Sequence, residues 1–292
     1  MIYEITHRTA YTYEDPVTIS HHLARLSPSE RKGQRLHSHE VTIEPTPATS
    51  NSHIDYFGNQ ALFFAMRGAH RSLVVTAKSR IEVLQKLTPD ALATPAWETL
   101  RDSCRADTLT PDAEAGEFSF PSHFIKCNPQ FAEYALQTFT PGRPIMAAAM
   151  GLNSRIHREF AFDPKATDVA TPIEEAFLKR RGVCQDFAHI FIACVRSIGL
   201  PARYMSGYLE TLPPPGKTKM VGADASHAWA SVWCGESFGW IEFDPTNDCI
   251  PGQRHIAVAH GRDFADVSPL RGVVYGPGSH KLKVAVDVNP VK

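Results

Sequence analysis

Cys184 stands at the start of a helical pattern, two residues after Gly182 and directly before Gln185 and Asp186. From there Phe187, Ile190, Phe191, Cys194, Val195 and Ile198 recur at helical spacing, and Gly199-Leu200-Pro201 stops the run. A helix N-terminus carries unpaired N–H groups and a partial positive charge, so it favours thiolate over thiol. The same N–H groups can hold the oxyanion that forms when sulfur attacks a carbonyl. The competing reading of Cys184 is a small buried apolar residue, as most free cysteines are.

A nucleophilic thiol needs a base, and a second stretch offers one. Residues 224–233 read as a strand with His227, Trp229, Ser231 and Trp233 on one face and Ala228, Ala230 and Val232 on the other. Gly235 to Gly239 then turns the chain into Trp240-Ile241-Glu242-Phe243-Asp244-Pro245. A two-residue turn at Gly235-Glu236 predicts Cys234 opposite Ser237 and His227 opposite Asp244, whereas a turn centred on Gly239 shifts that register. Pro245 ends the pairing and leaves Asp244 at the strand's rim. An Asp–His pair fixes the imidazole tautomer and raises its basicity, so that it can hold Cys184 as thiolate and protonate a leaving amine. Alone, His227 reads as a structural histidine and Asp244 as a turn residue. The three together read as a catalytic triad.

Neighbouring residues suit supporting roles. Asp186 complements the helix dipole, His189 faces the pocket or braces a strand, and Gln185 offers an amide beside the nucleophile. Trp229 is a candidate for lining the cleft, whereas Trp233 and Trp240 suit the core.

The elements that must position these residues divide the chain in three. Residues 1–86 read as short strands separated by turn residues, a β-sandwich-like module. The strands include Asn59–Phe64, Leu73–Thr76 and Ile81–Leu84. His21-His22 and His37-x-His39 fall here without a third ligand at useful spacing and read as solvated loop histidines. Residues 87–160 read as helices packed on the core, with starts at Thr88-Pro89-Asp90, Asn128-Pro129 and Pro144. Residues 161–292 form the core with C-terminal strands. Within it, Thr171-Pro172-Ile173 reads as a capped helix start and Leu212–Lys217 as an exposed, mobile proline loop.

The totals are those of a soluble globular protein: 292 residues, 43% hydrophobic, 21% charged, net charge −1. No block of like charge suggests nucleic acid or an anionic membrane, and no apolar run approaches spanning length. The N-terminal stretch alternates as a strand does and lacks a signal-peptide core, so a cytoplasmic location is expected. Six widely spaced cysteines contain no C-x-x-C pair, which argues against a metal knuckle.

Four ordered segments carry a resemblance across nearly the whole chain. They are Gly182-Val183-Cys184-Gln185-Asp186-Phe187-Ala188-His189, Gly199-Leu200-Pro201-Ala202-Arg203-Tyr204-x-Ser206-Gly207-Tyr208, His227-Ala228-Trp229 and Gly239-Trp240-x-x-Phe243-Asp244-Pro245-Thr246-Asn247. With the strand-rich start and the tail from Phe264, the sequence resembles the bacterial transglutaminase-like cysteine protease family. The resemblance implies an α+β, papain-like core with an N-terminal β-domain. It also implies Cys184 as nucleophile, His227 as base and Asp244 as its orienting partner. The turn between His227 and Asp244 is a residue longer than that family's pattern.

Animal transglutaminases depend on calcium, but no acidic run of the kind a Ca²⁺ loop needs occurs here, so no metal or cofactor is expected. The expected activity is a peptidase or amidase acting on peptide or isopeptide bonds of a peptide or protein substrate. Acyl transfer to an amine is the runner-up, a non-catalytic scaffold comes next, and an acetyltransferase loading Cys184 from acetyl-CoA is weaker still. The oligomeric state is left open.

Overall fold

A computed structural model describes residues 1–105, 110–211, 225–276 and 278–291 of the chain. The Leu212–Lys217 loop lies outside the described residues. Four strands open the chain: β1 (Ile2–Ala24), β2 (Gln34–Glu44), β3 (Thr49–Ile54) and β4 (Gln60–Val83). Helices α1 (Trp97–Cys104), α2 (Pro111–Ala115), α3 (Pro129–Leu136) and α4 (Ile145–Glu159) follow. Next come β5 (Ala161–Phe162), α5 (Ile173–Lys179), β6 (Arg181–Gly182) and α6 (Cys184–Ser197). The chain ends with β7 (Ala202–Leu209), β8 (Ala225–Trp233), β9 (Trp240–Phe243), β10 (His255–Gly261), α7 (Phe264–Val267), β11 (Leu270–Tyr275) and β12 (His280–Val291).

Alternation in β1 buries Tyr3, Ile5, His7 and Thr9 on one face. This strand pairs antiparallel with β4 from Ile2↔Glu82 to Thr12↔Ser72 and again from Ile19↔Arg67 to Ala24↔Leu62, with irregularities between. Bulges of this kind bend a strand. β12 flanks the first half of β1 and β11 the second, while β2 and β3 take the corresponding halves of β4. Tyr13, Val17, Phe64, Met66, Leu73 and Val75, drawn from both halves, share one apolar core. The sandwich-like module is therefore one six-stranded sheet folded on itself, and the strands expected separately over 59–84 are one strand, β4.

Two further expectations change. The C-terminal strands pair with β1, so the last stretch of the expected 161–292 core belongs to the N-terminal sheet. The histidine pairs lie in strands rather than loops, and His22 is buried with its Nε2 2.8 Å from Ser20 Oγ.

The α+β core is built on α6. Its residues Phe187 to Val195 are almost wholly buried, against Ala228, Ala230 and Val232 of β8 on one side and an aromatic cluster on the other. Phe131, Phe177, Phe160 and Phe187 contact in sequence at ring separations of 5.0, 5.8 and 5.8 Å. Each buried phenyl contributes about 1.5–3 kcal/mol, so α6 sits on the most apolar framework in the chain. Its sheet runs β10-β7-β8-β9, all antiparallel.

The two parts are joined by specific polar contacts. Gln34 donates to the Ala257 carbonyl and accepts from its N–H, and Ser29 Oγ donates to Val258 O. His7 Nδ1 lies 3.0 Å from Tyr208 Oη, and Tyr3 donates to Glu210.

Candidate active site

Cys184 is the first residue of α6, and the chain reaches it through the β5–β6 pair, in which Phe162 lies beside Gly182. Asp186 folds back to accept the Val183 N–H at 2.8 Å and the Thr167 hydroxyl at 2.6 Å. This contact explains the glycine: a Cβ at Gly182 would lie 2.4 Å from Asp186 Oδ2. Burial nonetheless pushes the Asp186 carboxyl up, with both hydrogen bonds opposing it. Asp186 thus ties down the entry to the helix. The expected cap at Thr171 is absent: no side chain caps α5, and Thr171 bonds Asp168 instead.

The β8–β9 hairpin differs from the two-residue expectation. The Gly239 N–H bonds Gly235 O and the Cys234 N–H bonds Gly239 O, so Trp233 lies opposite Trp240. Continuing that register places Asp244 level with Trp229, and His227 becomes its diagonal neighbour on the same face. The two still meet, with His227 Nε2 2.8 Å from Asp244 Oδ2, and Cys184 acts electrostatically on the same imidazole.

Asp244 is fully buried and accepts on both oxygens. Oδ2 takes His227 Nε2, His255 Nε2 at 3.0 Å and Asn247 Nδ2 at 2.7 Å, while Oδ1 takes the Thr246 and Asn247 N–H groups. The turn that supplies them is pinned to α4, where Ser154 and Asn153 donate to Asp248 Oδ1.

Electrostatics follow this geometry. Burial draws the His227 imidazolium down, but the hydrogen bonds and charges of Asp244 and Cys184 outweigh it and raise it to about 10. Burial pushes the Asp244 carboxyl up, yet its imidazole and amide donors hold it well below the usual carboxylate range. His255 falls below the ordinary histidine value because burial outweighs its bond to Asp244.

The remaining sequence-selected residues are placed as follows. Trp229 is wholly buried rather than cleft-lining; its ring stacks near His227 at 5.9 Å and its Nε1 donates to Glu242. His189 points into the protein, accepting the Phe264 N–H at 3.2 Å and packing on Phe124 and Tyr204, and burial draws it down to about 4. Gln185 is half-buried beside Cys184.

His255 was not selected from sequence, nor was Asn247 given a role. The Asp-Pro-Thr-Asn turn signalled Asn247, since a short amide after an aspartate commonly closes such a turn. Nothing in the spacing signalled His255. Among the described residues, His227, Asp244 and His255 alone form a metal-type donor group, with ligand atoms within 4.8 Å of one another. Within that group, both imidazole Nε2 atoms lie within hydrogen-bond distance of Asp244 Oδ2.

Comparison with known proteins agrees with this architecture. Residues 3–82 match the bacterial transglutaminase-like N-terminal region and residues 132–245 the transglutaminase-like superfamily. An uncharacterised Mycobacterium tuberculosis protein is 41% identical over 295 residues, covering 99% of this chain and 92% of the relative. A protein-glutamine gamma-glutamyltransferase of Pseudomonas aeruginosa is 28% identical over 177 residues, 57% of this chain and 26% of that protein. The crystal structure of a candidate cysteine protease from Cytophaga hutchinsonii superposes with a TM-score of 0.77 at 19% identity, covering 100% of this chain and 92% of the other. At that identity the likeness shows the fold.

Proposed function

The chain belongs to the transglutaminase-like superfamily, and from that premise we propose that it is a cysteine peptidase or amidase using Cys184, His227 and Asp244. The observation that carries the proposal is His227, bonded to a buried, ionised carboxylate at 2.8 Å and raised by the neighbouring Cys184 as well as by Asp244. Because Asp244 only accepts, His227 presents Nε2–H to it and keeps Nδ1 for the sulfur. His227 takes the Cys184 proton, and the thiolate attacks the carbonyl carbon of a peptide or isopeptide bond.

The oxyanion then gathers toward the free N–H groups of the first turn of α6, with the Gln185 amide beside them. When the C–N bond breaks, the electron pair leaves with the amine, which takes the proton from the His227 imidazolium. Water attacks the thioacyl carbonyl, His227 accepts its proton, and the acid departs as the thiol re-forms. A cytoplasmic site of action belongs to the same proposal and is supported by six unpaired thiols.

Acyl transfer is the second reading, favoured by the similarity to the Pseudomonas aeruginosa gamma-glutamyltransferase. There a primary amine replaces water at the thioacyl carbonyl.

The test is carboxamidomethylation by iodoacetamide at about pH 6, where an ordinary thiol of pKa near 8.5 reacts slowly, read by peptide mass spectrometry. Fast labelling confined to Cys184 and lost in His227→Ala is expected. Cys184 reacting no faster than the other cysteines would sink the proposal. With casein and a fluorescent primary amine, new N-termini mark hydrolysis and fluorescent protein marks transfer.

A further inference from the structure

His255 occupies an improbable place for a residue of this site. It opens β10, at the edge of the sheet opposite β9, with β7 and β8 between. Its ring reaches Asp244 because the 245–254 connection must cross the ends of those strands and because Gly207, paired with His227, presents no side chain. A Cβ there would lie 2.0 Å from Ile256 O and 2.7 Å from the Trp229 ring. His255 is buried, its ring set edge-on to Trp229 at 5.5 Å and 79°. Its Nε2 lies 3.0 Å from the same Oδ2 that His227 Nε2 approaches at 2.8 Å. A carboxylate only accepts, so both imidazoles donate, and His255 is held as the Nε2–H tautomer.

Resting on the proposed triad, we infer that His255 is a positioning residue that sets the basicity of His227 through their shared carboxylate oxygen. The second N–H draws electron density from Oδ2, so Asp244 stabilises the His227 imidazolium less than an unshared carboxylate would. It also fixes Oδ2 between the two rings, whose centroids are 6.0 Å apart. The titratable and charged groups acting on this couple are Cys184 from α6, His227 from β8, and Asp244, Cys249 and Arg254 around the connection to β10. A neutral His255 leaves the carboxylate its charge; a cationic one would neutralise it.

The experiment is ¹⁵N-histidine NMR titration of the full chain in a Cys184→Ala background, with His227 assigned through His227→Ala. His255→Phe, which keeps the ring shape and loses the donor, should raise the His227 midpoint by about half a pH unit, the size of one neutral hydrogen bond. His255→Gln, whose amide donates from a similar position, should leave it in place. An unchanged or lowered midpoint in His255→Phe, or an equal rise in His255→Gln, overturns the inference. Should the Phe variant not fold, the unsubstituted His255 decides: its ¹⁵N shifts at pH 7 must show the neutral Nε2–H tautomer, and the Nδ1–H form or a cation refutes it. The proposed triad is tested apart, since restoring Cys184 must raise the His227 midpoint whatever His255 does.

Discussion

Replacing Asp244 by Asn keeps the shape of the site and removes its charge. The aspartate accepts three donors on Oδ2 and two backbone N–H groups on Oδ1. An asparagine offers one acceptor, so its NH₂ must face either the two amides or the two imidazoles. Facing the amides leaves the Thr246 and Asn247 N–H groups, which are partly or fully exposed to solvent, without their acceptor, a net loss of about 0.5–1.5 kcal/mol each. Facing the imidazoles forces His227 to accept at Nε2 and carry its proton on Nδ1, where it points N–H at the sulfur and can no longer take the thiol proton. The same change in a Ser-His-Asp triad costs about 10⁴-fold in kcat. His227, raised to about 10 in the native protein, should fall by about 1–3 pH units, the usual effect of an adjacent opposite charge. Carboxamidomethylation of Cys184 at pH 6 should therefore drop at least tenfold, with little change at pH 9.5, where an ordinary thiol is ionised. Urea unfolding at pH 7 should show a loss of about 1–3 kcal/mol, the net worth of the two hydrogen bonds lost. Labelling at the wild-type rate at pH 6 would refute the reasoning, because a thiolate would then exist without the carboxylate.

Two further outcomes follow from the same geometry. Gly207→Ala places a methyl 2.0 Å from the Ile256 carbonyl, a backbone atom that cannot rotate away, so urea unfolding should show about 3 kcal/mol or more of destabilisation; a loss under 1 kcal/mol would mean that β7 and β10 are not so close. His7, His22 and His189 are buried and drawn down to about 4 from 6.5. Each therefore contributes stability above pH 6.5 that is lost on acidification, about 1 kcal/mol apiece at pH 5.5. His227 has the opposite sign: raised from 6.5 to about 10, it contributes fully below pH 6.5 and fades as pH climbs toward 10. Unfolding free energies measured at pH 5.5, 7 and 9.5 should thus peak at the middle value, and a rise at pH 5.5 would contradict the buried neutral histidines.

Local patterns made much of this molecule legible. The boundaries of α6 followed from apolar spacing and the Gly199-Leu200-Pro201 stop, and the α3 start from Asn128-Pro129, whose asparagine does cap the helix. The facing of His227, Trp229, Ser231 and Trp233 needed only a strand's period of two. What failed was non-local. The hairpin register depended on whether Gly235 or Gly239 closed the turn, and both take positive φ, at 91° and 67°. The short N-terminal strands were read as separate because Gly68 and its polar neighbours resemble a turn; in β4 they form a bend, with Gly68 at φ 100°. Where the final strand, β12, pairs is a property of β1, more than 260 residues away, which no window of sequence contains.

His255 was invisible for the same reason, and the route to it also explains why the N-terminal module cannot be treated as an accessory. Glu242, buried in β9 beside β8, holds Trp229 Nε1 at 2.9 Å. Its other oxygen is paired with Arg31 and lies 3.5 Å from Lys86, both contributed by the first 86 residues. Trp229 in turn touches both His227 and His255. The module therefore anchors the indole against which the two imidazoles sharing Asp244 are packed. A solvent-exposed ion pair contributes little on its own, but Glu242 is buried, and removing its cations would leave an uncompensated charge beside Trp229. A core severed from its N-terminal sheet would therefore lose first the packing around His227 and His255, the pair on which the proposed chemistry depends.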